Sequence, residues 1–96
     1  MFIVGGFNVY PAEIENVLRQ HPAVNESAVV GVDDELMGSV GRAYVALLHD
    51  ADPMPGADDL AAFCKTRLAN YKVPRSFVIV NDFPRNSTGK VLKSKL

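Results

Sequence analysis

The sequence predicts an α+β fold, a two-layer sandwich in which a small sheet of about three main strands is covered by two packed helices, with an N-terminal β-hairpin added. Three observations carry this reading. Two segments place apolar residues at helical spacing, three apolar runs have the length of strands, and a Gly5-Gly6 pair splits the first apolar stretch. At 96 residues the chain suits one domain with a modest core, and it contains no internal repeat.

Phe2-Ile3-Val4 reads as a short strand, and Phe7-Asn8-Val9-Tyr10 as its return across Gly5-Gly6. Adjacent glycines permit φ > 0 and let another molecule approach the backbone closely. Pro11 suits the first position of a helix, where its missing N–H costs nothing, and Glu13 and Glu15 favour that helix end. Ile14, Val17, Leu18 and His21 fall on one helical face, and Pro22 stops the helix. Val24 to Val32 reads as a strand with Ala28-Val29-Val30 buried, followed by an acidic loop, Asp33-Asp34-Glu35. Gly38 and Gly41 lead into a central strand, Ala43 to Leu48, and a loop runs from Asp50 to Gly56. A second helix starts at Asp58-Asp59, carries Leu60, Phe63, Cys64, Leu68 and Tyr71 on its apolar face, and closes at Asn70 to Pro74. Ser76 to Val80 is the third strand, and Val91 to Leu96 starts a terminal helix.

Composition removes several classes. Hydrophobic content of 48% with 22% charged residues is ordinary for a globular domain, and no apolar run reaches about 18 residues, so no transmembrane segment is expected. The N-terminus lacks the basic and apolar regions of a signal peptide, and the single cysteine forms no intrachain disulfide; a cytoplasmic setting is expected. The glycosylation triplets at Asn25 and Asn86 are therefore read as chance. The net charge of −1 hides a strong asymmetry: ten of eleven acids lie in residues 1–64, and eight of ten bases in residues 65–96. Either the last third faces an anion, or its charges are spread over a solvated surface.

Pro84-Arg85-Asn86-Ser87-Thr88-Gly89-Lys90 is a turn-forming run that holds out one lysine, suited to a phosphate or a carboxylate, or simply solvated. It is not a P-loop, because position 84 is Pro and position 91 is Val. Gly5-Gly6 lacks the third glycine of a dinucleotide fingerprint. No Cys/His cluster supports zinc, the three consecutive acids lack the alternation of a calcium loop, and no Ser-His-Asp set is evident, so no metal site is expected. His21 reads as a helix-end residue, His49 as a surface residue and Cys64 as core packing. The basic tail lacks interleaved aromatic residues, which argues against nucleic acid as a partner.

Two separated segments resemble one family. Gly5-Gly6-Phe7-Asn8-Val9-Tyr10-Pro11-Ala12-Glu13-Ile14-Glu15 is similar to the glycine hairpin of adenylate-forming (AMP-binding) enzymes, and Pro84 to Lys90 resembles their C-terminal lysine motif. The spacing between them, and Arg67 to Pro74 in the middle, also match. The hairpin wording is closer to acyl-CoA synthetases, of the fatty-acid–CoA ligase type, than to peptide-synthetase adenylation domains.

The resemblance implies a mobile C-terminal lid, residues 1–96, whose partner is an N-terminal adenylation domain outside this chain. ATP and Mg would be bound mainly there, and CoA would be the co-substrate. Lys90 is implied as the catalytic lysine of acyl-adenylate formation from a small-molecule carboxylate. Gly5, Gly6, Phe7 and Asn8 are implied on the pantetheine side for thioester formation after the lid rotates. Tyr71, Lys72 and Arg75 are implied near the CoA nucleotide, with Tyr71 either stacking adenine or belonging to the core. Alone, the chain is expected to be inactive. Alternatives are a lid from another branch, such as a peptide synthetase or aryl-CoA ligase, a stand-alone CoA- or nucleotide-binding module, and a small nucleic-acid-binding domain.

Overall fold

A computed structural model describes residues 1–96 throughout. The chain runs β1 (Phe2–Val4), β2 (Phe7–Val9), α1 (Pro11–Arg19), β3 (Val24–Asp34), β4 (Gly38–Leu47), α2 (Ala57–Lys65), a 3-10 turn (Asn70–Lys72), β5 (Ser76–Val80) and a last 3-10 turn (Lys93–Lys95). The expected α+β sandwich is present, with three main strands and an N-terminal hairpin in one five-stranded sheet.

β3 and β4 form a long antiparallel ribbon from Val24↔Leu47 to Asp34↔Gly38. Because β3 occupies one edge of β4 along its whole length, β1 and β5 share the other. β1 pairs at Val4↔Gly38, and β5 runs parallel to β4 from Arg42↔Ser76 to Ala46↔Val80. β2 lies outside β1.

Both helices pack on one face. Ile14 and Leu18 of α1 and Leu60 and Cys64 of α2 are fully buried against Val9, Val29 and Val45. Each such aliphatic side chain contributes about 1.5–3 kcal/mol by leaving water. The adjacent residues Ala28 and Ala46 belong to a second, smaller cluster with Phe83, flanked by Val91 and Leu96. Successive strand residues point to opposite faces, so the C-terminal segment covers part of the face away from the helices.

Three expected boundaries move. The acids at Asp33-Asp34 belong to β3, and β4 begins at Gly38 and not at Ala43, because the ladder continues through Val32↔Val40 and Asp33↔Ser39 at the solvated end of the ribbon. The paired Gly31 and Gly41 make room for Phe2: a Cβ on Gly31 would lie 2.6 Å from Phe2 Cγ. α2 ends at Lys65 and does not reach Tyr71. Pro74 disfavours helix at Val73, which is extended at φ −68° and ψ 124°, so the chain leaves through a 3-10 turn. The expected terminal helix is only the turn at Lys93–Lys95, since Val91 bridges Arg85 and the Leu92 N–H donates to the Pro84 carbonyl.

Candidate functional site

The Lys90 loop is built around Asn86. Its side-chain oxygen accepts the Thr88 hydroxyl (2.7 Å), the Thr88 N–H (3.0 Å) and the Lys90 N–H (3.0 Å). Its own N–H donates to the Lys90 carbonyl at 2.9 Å, and Gly89 closes the turn at φ +88°. Arg85 holds the loop's first root: it pairs with Glu26, lies 3.7 Å from Asp82, and donates to the Gly89 carbonyl. The Glu26 hydrogen bond, chiefly, pushes the Arg85 pKa further up. Lys90 itself is exposed and joins none of the chain's ion pairs. A free ammonium on a closed loop can meet an anion from outside.

At the other glycine motif, Gly5 and Gly6 have φ +54° and +90°, the pair of left-handed residues that a tight two-residue hairpin needs. The Gly5 N–H donates to the Met37 carbonyl at 2.8 Å, tying the hairpin to the β3–β4 turn. That turn is held by Asp34, whose carboxylate accepts the Leu36 and Met37 N–H groups. A Cβ on Gly6 would meet nothing within 4 Å. Gly6, Phe7 and Asn8 are exposed, so a ligand can run against the backbone there.

The structure brings Tyr71 to the hairpin. Tyr71 packs on the main core and stacks on Phe7, with centroids 4.8 Å apart. Lys72 is committed to Glu13 at 2.9 Å, a bond that raises its pKa, whereas the exposed Arg75 has no acid partner. Three of the eight bases in the basic third are thus offset internally: Lys72 pairs with Glu13, Arg85 with Glu26, and Lys93 with Glu15.

The two motifs stand apart. The Lys90 loop is tied to Glu26, opposite Ala46, and the hairpin meets β4 at Gly38. Those β4 positions are eight residues apart, about 25 Å along the strand.

The remaining candidates have structural roles. His21 Nδ1 accepts the Ala23 N–H at 3.0 Å, with the ring edge-on to Phe63. Burial pushes the Cys64 thiol up to about 11, against the opposing charge of Arg67. No group of three or more His, Cys, Asp or Glu side chains is gathered to hold a metal, and no helix is long and apolar enough to cross a membrane. Sequence reasoning placed Asn86 in the turn and Glu15 at a helix start, but gave neither them nor Glu26 a part in holding the Lys90 loop. Asn86 two residues before Thr88 is an Asx-turn signal that was available; nothing local marks Glu15 or Glu26, whose partners lie far along the chain.

Comparison with known proteins gives a consistent result. The profile of the AMP-binding enzyme C-terminal domain matches residues 13–90. The whole chain aligns at 57% identity with 18% of a (7a-methyl-1,5-dioxo-octahydro-1H-inden-4-yl)propanoyl:CoA ligase of Rhodococcus jostii. It aligns at 47% identity with 19% of a 2-succinylbenzoate–CoA ligase of Bacillus licheniformis. In the solved structure of a Mycobacterium tuberculosis fatty acyl CoA synthetase, 18% of that chain superposes on 99% of this one, at a TM-score of 0.89 and 42% identity. The chain therefore spans about a fifth of the length of the curated relatives it matches.

Proposed function

The chain belongs to the AMP-binding enzyme C-terminal domain family, and from that membership we propose that it is the mobile C-terminal domain of an ATP-dependent acyl-CoA synthetase. The observation that carries this reading is that an unpaired Lys90 stands on a loop rooted through Arg85–Glu26 at the Ala46 end of β4, while the open Gly5-Gly6 hairpin joins β4 at Gly38, the two anchor positions being about 25 Å apart along the strand. A small domain with two such ends serves two half-reactions by turning.

In the first half-reaction the substrate carboxylate attacks the α-phosphate of ATP, releasing pyrophosphate. Lys90 Nζ lies between carboxylate and phosphate oxygens and offsets charge where it concentrates. Mg and most ATP contacts belong to the N-terminal adenylation domain, the partner of this chain. In the second half-reaction the domain turns, Lys90 withdraws, and Gly5, Gly6, Phe7 and Asn8 line the approach of the CoA thiol. Arg75, exposed and unpaired, meets CoA phosphate, with Lys72 beside it and Tyr71 backing the hairpin. The acid is read as a fatty acyl chain, a reading supported by the likeness to the fatty acyl CoA synthetase. The names of the two ligase relatives favour a second reading, a ring-bearing acid.

The test is Lys90→Ala in the complete synthetase, with the two half-reactions assayed separately. Pyrophosphate release should fall by about 100- to 1,000-fold, equivalent to roughly 3–4 kcal/mol of barrier, while thioester formation from preformed acyl-adenylate persists. Equal losses in both steps would overturn the division of labour.

A further inference from the structure

We infer that Glu15 and Lys93 form a positioning pair for Lys90, fixing the second root of its loop to the α1–β3 layer; this rests on the role proposed above for Lys90. The loop lies with the segment that covers the outer face of the sheet, where Val91 and Leu96 pack near Ala28 and Ala46. Glu15 is on α1, on the other face. Lys93 spans the edge of β3 between them: its Nζ lies 2.8 Å from Glu15 Oε2 and donates to the Val29 carbonyl at 3.0 Å. The same Glu15 oxygen accepts the Val29 N–H at 2.8 Å. Both outward hydrogen-bonding groups of Val29 are thereby occupied, and three groups from three elements close one circuit.

The circuit is rigid on the Glu15 side. Glu15 sits between the fully buried Ile14 and Leu18, and its side chain is only 18% exposed. Lys93 is three residues beyond Lys90, and the intervening Val91 and Leu92 are held by the Arg85 bridge and the Pro84 carbonyl. Arg85–Glu26 fixes one root of the loop and Lys93–Glu15 the other. Releasing the second root leaves the segment after Lys90 held by its backbone bonds to Arg85 and Pro84 and by the packing of Val91 and Leu96, but without its tie to the α1–β3 layer. A displacement of about 1 Å in a reacting group can cost on the order of 100-fold in rate. Sealing the β3 edge is the plainer role, and it predicts a different outcome: lost stability with both half-reactions affected alike.

The experiment compares Lys93→Met, Glu15→Gln and Lys93→Arg in the complete synthetase, with Lys90→Ala alongside. Lys93→Met keeps most of the apolar stem, and Glu15→Gln keeps an acceptor for the Val29 N–H. Both should lower the adenylation rate by about 10-fold or more, with KM for ATP and thioester formation from preformed acyl-adenylate within about twofold of the parent. Lys93→Arg, which can still pair with Glu15, should recover most of the rate. Equal losses in both half-reactions, or no loss in adenylation, would overturn the inference while leaving the role of Lys90 standing. If Lys90→Ala leaves adenylation intact, the role of Lys90 fails and this inference falls with it.

Discussion

The ring of Phe7 lies against that of Tyr71, centroids 4.8 Å apart and planes 28° apart. The contact joins the hairpin to a turn far along the chain, and the neighbouring Lys72–Glu13 pair adds a second tie between that turn and α1. The hairpin and the Tyr71 turn are therefore joined, and Tyr71 has one ring face already in use.

Tyr71→Phe should leave this junction intact, because the stack and the core contact use the ring and not the hydroxyl. Tyr71→Ala removes both and should lower stability by about 1–3 kcal/mol, less than for a fully buried aromatic. In the complete synthetase it should also weaken the thioester step more than adenylation. Urea denaturation of the domain checks the first effect, and a Tyr71→Ala domain as stable as the parent would show that the stack contributes nothing.

Gly5 and Gly6 separate two costs that usually come together. Alanine at either position must adopt positive φ, a penalty of about 1–2 kcal/mol. Gly5→Ala also brings its Cβ to 2.7 Å from Met37 Cε, the flexible end of a side chain that can yield. Gly6→Ala meets nothing within the domain. Loss of thioester formation in Gly6→Ala beyond what its stability explains therefore measures contact with the entering ligand. Adenylation should be retained, and a Gly6→Ala enzyme with unchanged thioester kinetics would remove the hairpin from the ligand path.

The hairpin, both helices and all three main strands were legible because each depends on local signals: Gly-Gly, Pro11 at a helix start, and apolar periodicity in short runs. What escaped the sequence depends on partners distant along the chain. Asp33-Asp34 resembles a loop until β4 is seen to pair with it through Ser39 and Gly38. The tail from Val91 has helical composition, but its backbone is drawn to Arg85 and Pro84. The charge asymmetry was visible, yet part of its meaning is internal, since Glu13, Glu15 and Glu26 each receive a base from the last third.

Asn86 offers a test of loop closure independent of charge. Its side-chain oxygen holds Thr88 and Lys90 at once, so Asn86→Ala leaves those donors to water and frees the loop. Adenylation should fall by about 10-fold or more, with little change in the melting temperature because the loop is exposed. Asn86→Asp retains the acceptor and should retain most of the rate. Equal rates for Asn86→Ala and the parent would show that Lys90 needs no such frame.

Cys64 sets the last prediction, which concerns pH. Burial raises its thiol from 9.0 to about 11. Below about pH 9 both folded and unfolded chains hold the proton, and the buried thiol makes its full contribution. Between about pH 9 and 11 the unfolded chain releases the proton while the folded chain keeps it, so stability falls as pH rises. Lys72, raised by its bond to Glu13, acts in the same direction at the upper end of this window. Urea denaturation of the parent and Cys64→Ala between about pH 8.5 and 10.5 separates the thiol from Lys72. Cys64→Ala should start less stable, through lost packing, but decline less steeply. The native thiol should also resist alkylating reagents at pH 8, reacting only as the domain opens. Parallel stability slopes for the two proteins would mean that Cys64 has no part in the alkaline loss.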